Sequence, residues 1–152
     1  MVWQFSNNFQ LSLILQYIDL LFLLLETLIN RIYMEVVNIN QKFSLFNEHW
    51  SPKIIGQLNG QDVKLAKIEG EFIWHDHKNE DELFYIIKGS LQIEFRDKMV
   101  TLNEGEMLII PKGVEHKPIA KEEVWVLLFE PSNIKHTGDI THELTKKNYD
   151  KI

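Results

Sequence analysis

GEFIWHDHKNEDELFYIIKG, residues 70–89, sets His75 and His77 in an apolar run that alternates like a strand, with acids in the turn that follows. On a strand, side chains two apart project from one face. The two imidazoles therefore stand together, and burying them without partners would cost free energy. Glu82 opens the next apolar run, ELFYIIK. If 75–77 and 82–88 pair antiparallel, Glu82 returns beside the imidazoles. Phe84 and Ile86 share parity with Glu82, and Ile73 shares parity with His75. We expect these three to line the interior, while Leu83, Tyr85 and Ile87, with Trp74 and Trp125, face a covering sheet or a subunit interface.

The same period runs outward in both directions. KIIGQL and DVKLAKI flank Asn59-Gly60, a strong hairpin signal. LQIEF alternates cleanly after Gly89-Ser90, and MVTL, EMLIIP, HKPIA and VWVLLF follow, each set off by turn residues. Short strands at this spacing predict an all-β sandwich or barrel. A polar tail follows Pro131, with a short helix expected near 141–148. His49, His136 and His142 lie in no motif and read as surface residues. Glu80 and Asp81 read as solvated turn acids, with Glu80 replacing Glu82 only if the register slips.

Residues 1–33 differ in kind. LSLILQYIDLLFLLLETLI, residues 11–29, nearly matches a bilayer in length, yet Ser12, Asp19 and Glu26 recur every seven residues. An acid at the bilayer centre costs about 2.5–3.5 kcal/mol. No positive charge precedes the run, as a signal peptide would require. It reads as a membrane anchor, as a helix packing on a partner, or as sequence upstream of a true start at Met34. We expect the last, with 34–152 forming the functional barrel and the apolar extension helical if it is made.

The 152 residues carry 16 Lys and Arg against 22 Asp and Glu, a net charge of −6. Arg31 and Arg96 are the sole arginines, so nucleic acid is not an expected partner. The absence of cysteine excludes disulfides and thiolate chemistry and fits a cytoplasmic protein. No Ser/His/Asp arrangement or phosphate loop offers rival chemistry.

A third histidine, His116, closes a second turn-rich stretch, GEMLIIPKGVEH, residues 105–116. Three imidazoles and a carboxylate suit Fe, Mn, Ni, Cu or Zn as a divalent ion, leaving coordination positions open. Gly70…His75-Asp-His77…Glu82…Gly89 resembles the first motif of the cupins, and Gly105…Pro111-Lys-Gly113…His116 resembles the second. The resemblance covers about residues 54–130. It implies a double-stranded β-helix, or jelly-roll barrel, holding one divalent metal through His75, His77, Glu82 and His116. Two positions depart from the pattern: Gly70 stands one residue closer to the first histidine, and Ala120 replaces a frequent asparagine. The family implies a homodimer and a small-molecule substrate or ligand. Three functions remain open: a metal-dependent enzyme, foremost a dioxygenase; a sugar or sugar-phosphate isomerase, as in the mannose-6-phosphate-isomerase-like cupins; or a non-catalytic metal or small-molecule binding module.

Overall fold

The computed structural model describes residues 3–32, 35–132, 134–140, 142–146 and 148–152, with the side chains of the first helix described over 13–28. The chain divides into two compact units, Met1–Val36 and Val37–Ile152. The first is a single helix, α1 (Trp3–Ile32), whose described side chains are all exposed within that unit. Among the described residues, no helix is long and apolar enough to cross a membrane.

The second unit is a barrel of seven strands: β1 (Lys53–Leu58), β2 (Gln61–Glu71), β3 (Glu82–Lys88), β4 (Ser90–Phe95), β5 (Met99–Asn103), β6 (Met107–Ile110) and β7 (His116–Pro131). Strand order is β1-β2-β7-β3-β6, with β4 joining β7 to β5. HKPIA and VWVLLF, expected as two strands, form the single 16-residue β7. It is the spine of the fold. β2 runs along one edge, while β4 takes the first part of the other edge and β3 the second.

The β1–β2 turn follows the sequence reading. Asn59 and Gly60 have φ of 52° and 78°, the paired left-handed conformation of a tight hairpin whose twist matches the strands it joins. Inward residues of β2, β3, β4 and β7 make the main core, including Ile68, Ile86, Ile93, Val124 and Val126. Where a covering sheet or a subunit interface is expected, part of the outer face is instead covered by a short helix that periodicity does not reveal, α2 (Ile39–Phe43). Asn38 caps it, its side chain accepting the Gln41 amide at 3.0 Å. Phe43 stacks on Trp125 at 4.5 Å between ring centroids, and Ile87 and Leu127 join that cluster.

Two expected elements are absent among the described residues. FIWHDH is not a strand, because β2 ends at Glu71 and regular pairing stops there, leaving one isolated bridge between His75 and His116. No helix forms over 142–146, where turns alone are seen; residues 141 and 147 lie outside the description.

Candidate metal centre

The site forms where two irregular segments meet a strand end. His75 and His116 face each other through two backbone hydrogen bonds, the His75 amide donating to the His116 carbonyl at 3.0 Å and the reverse at 2.9 Å. This pairing, and not the expected one between 75–77 and 82–88, brings the second histidine motif to the first. β3 pairs instead with β6 and β7, which sets Glu82 opposite Ile110 at the strand's first residue. Asp81, expected to be solvated, accepts the Lys112 amide at 2.9 Å and so ties the turn before β3 to the turn before His116. Glu80 stays in the turn, accepting the Asn79 amide at 3.3 Å.

Four buried side chains result: His75, His77, Glu82 and His116, each at most 5% exposed. Ligand atoms of His75, His77 and Glu82 lie within 4.8 Å of one another, a group that could bind a metal ion. His116 stands with them, its Nε2 3.2 Å from Glu82 Oε2 and its ring centroid 4.3 Å from that of His75. His77 Nε2 is 3.4 Å from the same carboxylate oxygen.

Hydrogen bonding selects the tautomers. His75 Nδ1 is 3.1 Å from the Ile73 carbonyl and His116 Nδ1 is 3.0 Å from the Val114 carbonyl, so each donates its Nδ1 proton to backbone. A neutral imidazole so engaged presents a bare Nε2 lone pair. His77 Nε2, His116 Nε2 and Glu82 Oε2 are buried without a hydrogen-bond partner. Unpaired buried lone pairs are costly, and several facing one point are relieved by a shared cation. Backbone carbonyls that fix ring orientation are also the usual supports behind metal-binding histidines. The residues therefore fit a metal by their own chemistry.

Burial and charge compete at these groups. Burial, with the neighbouring His116, pushes the His75 imidazole down to about 4, so it is neutral at physiological pH. Burial also opposes charge on Glu82 and His77. Where His116 and His77 carry a proton on the nitrogen facing Glu82, they hold its carboxyl well below the usual carboxylate range, and that carboxylate draws His77 upward, so a proton competes with a metal ion for these nitrogens.

Beside the four residues lies a cavity walled by Trp50, Phe72, Phe84 and Leu128, with His75 and Glu82 at its edge. Phe84 is on the expected face. Ile86 is fully buried in the apolar core and does not reach the cavity. Ile73 is half-buried, and Phe72 lines the cavity in its place. The reason is the loss of strand geometry after Glu71, which breaks the parity that tied Ile73 to His75. His136 is a second correction: it is 6% exposed and lines the same cavity, carried there by the tail. No motif surrounds it, so only the packing of the tail reveals it. His49 and His142 are exposed as expected. Lys64 points into the barrel, fully buried, and its Nζ is 2.8 Å from Glu130 Oε1. Burial and the Glu82 charge raise the Glu130 carboxyl to about 7 against the pull of Lys64.

A β-barrel with histidines and a glutamate converging inside defines the cupin class, and relatives agree. Residues 61–130 match the cupin domain family Cupin_2. A crystal structure of a cupin-2 domain protein from Shewanella frigidimarina NCIMB 400 is 57% identical, covers 63% of this chain and 94% of its own, and superposes with a TM-score of 0.63. Protein NMB1881 of Neisseria meningitidis is 32% identical, with 64% and 100% coverage and a TM-score of 0.60. YdbB of Bacillus subtilis (strain 168) is 42% identical over 64 residues, 41% of this chain; the chain spans 57% of that relative's length. The chain belongs to the cupin superfamily.

Proposed function

We propose that the chain binds one divalent transition-metal ion through His75, His77, Glu82 and His116, and that it oxidises a small organic molecule with dioxygen. The observation that carries this is the set of buried, unpartnered Nε2 and Oε2 atoms facing one another. A bound ion would supply a Lewis-acidic, redox-capable centre with positions left for water or substrate. The chain's own residues orient the imidazoles through Ile73 and Val114 and exclude bulk water with an aromatic wall. Iron, manganese, nickel, copper and zinc all suit the donor set.

The apolar wall favours oxidation over sugar-phosphate isomerisation of the mannose-6-phosphate-isomerase type. A phosphate needs a cation, and among the described residues lining the cavity none is lysine or arginine. Lys64, the inward lysine, is engaged by Glu130. A non-catalytic binding module uses the same ligands and is separated by turnover alone. The exposed apolar residues Met99, Met107 and Ile109 support the homodimer that cupin membership suggests, and the cysteine-free composition fits the cytoplasm.

Elemental analysis of the untagged protein, beside Glu82→Ala and His116→Ala, tests the reading. About one equivalent of a redox-active metal, lost in both variants, followed by substrate-dependent oxygen consumption, is the expected result. Zinc would redirect assays to isomerisation. Failure to take up any added ion would overturn the metal centre itself.

A further inference from the structure

The tail after β7 is fastened to the segment that carries two of the four histidine and glutamate side chains. Gly138, with φ of 58°, lies against the backbone of Asp76, the residue between His75 and His77; a Cβ there would collide with the Asp76 carbonyl oxygen. Asp139 pairs with Lys78 at 2.7 Å, one residue beyond His77. The far end of the tail is fixed to β1: the Ile54 amide donates to the Asp150 carbonyl at 2.8 Å, and the Ile152 amide donates to the Ile54 carbonyl at 3.1 Å. Between the end of β7 and the Gly138 anchor, the tail delivers His136 to the cavity.

Both nitrogens of the His136 ring are used within the tail. Nε2 is 3.0 Å from the Leu144 carbonyl, which requires the proton there. Nδ1 is then an acceptor facing the Tyr149 hydroxyl at 3.0 Å, whose single proton it shares with the Ile134 carbonyl 3.2 Å away. The ring therefore offers no free donor or acceptor to the cavity, and burial pushes its pKa down to about 4, so it carries no charge. It packs on Phe72 with centroids 5.7 Å apart, and Phe72 in turn meets His75 edge-on at 5.2 Å. A histidine is here used as a flat, neutral wall. The space left is about 30 Å³ for the centres of water molecules, room for two or three waters.

We propose that His136 is a specificity-determining residue of this cavity, and that with Phe72 and Trp50 it restricts the occupant to a compact, largely apolar molecule carrying one metal-binding head. The proposal rests on the metal-centre reading above. It excludes polyhydroxylated and phosphorylated ligands, since a buried hydroxyl would find no partner on this wall. The strap at Gly138 and Asp139 sets the size limit, because it fixes how close the ring comes to the histidines.

The test uses the full chain loaded with Co(II), its stoichiometry measured first by elemental analysis. Butyrate, 3-hydroxypropionate and benzoate are titrated in, and the visible absorption of the cobalt reports binding. Butyrate is expected to bind at least about tenfold tighter than either of the others. His136→Ala should bring benzoate to parity with butyrate by opening the wall. Gly138→Ala, which keeps the ring but displaces the strap, should relax the size limit in the same direction. His136→Phe keeps the wall and should keep the wild-type order. Equal affinities in the wild type would overturn the inference. So would an unchanged butyrate-to-benzoate ratio in whichever of the Ala variants still melts cooperatively. No cobalt uptake by the wild type would overturn the metal centre and this inference together, whereas uptake with indifferent ligand binding would sink the inference alone.

Discussion

Glu82 holds the centre of the site because two imidazoles reach the same carboxylate oxygen, and each imidazole has a different origin. His77 lies in the irregular segment between β2 and β3, and His116 begins β7. Removing one ring takes away a ligand atom but little apolar packing. His77→Ala is therefore expected to lose the metal while the metal-free variant melts cooperatively, within about 1–2 kcal/mol of metal-free wild type. An unfolded variant would show that the metal holds the barrel together. The neutral, buried imidazoles also make the metal-free protein acid-sensitive. His136 has its pKa pushed down to about 4, against about 6.5 in an unfolded chain. The unfolded chain then binds more protons between those values, so this group's contribution to stability is lost as pH falls through that window. His77 and Glu130, both shifted upward, act in the opposite sense, while Glu82 contributes no slope above its unfolded value of 4.5. His136→Phe removes the His136 contribution alone. From pH 6.5 to 5 the variant is expected to lose about 1–2 kcal/mol less stability than wild type in urea unfolding. Identical losses would refute a neutral, buried His136.

Among the elements, the β1–β2 hairpin is the one whose geometry is dictated locally. Gly60 sits at a φ of 78° with open space where a Cβ would go, so a substitution there pays only for the left-handed backbone. Gly60→Ala should cost about 1–2 kcal/mol in urea unfolding without changing metal content. A loss of metal would mean that the turn communicates with the site, which its distance along β2 argues against. The strands of β3 to β6 were legible in their alternation because one face of each is buried. FIWHDH was not, because its residues alternate in sequence but make no ladder beyond the His75–His116 bridge. Alternation reports which face is apolar and is silent on whether a partner strand exists. α2 was hidden for a simpler reason: five residues are too few for a helical period.

For the whole molecule, the Val37–Ile152 unit has its own core, its own capped helix and its own tail contacts. A chain begun at Met34 is accordingly expected to melt cooperatively and to bind as many metal equivalents as the full chain. Calorimetry and elemental analysis on the two chains check this. Aggregation of the shorter chain alone would mean that residues 1–33 belong to the folded barrel.

The amino-acid order by itself determined most of the strand pattern, the Asn59-Gly60 turn and the four residue types of the candidate site. Each depends on local spacing, and local spacing sets which side chains share a face. Only the tertiary structure decided how those four meet, because the meeting runs through the His75–His116 pairing across forty-one positions of chain. It also decided that Phe72 and not Ile73 faces the cavity, and that Ile86 belongs to the core. His136 was beyond reach of any local rule. Its burial depends on a glycine packing against Asp76 and on a tyrosine thirteen residues away, contacts that exist only once the tail has folded onto the barrel.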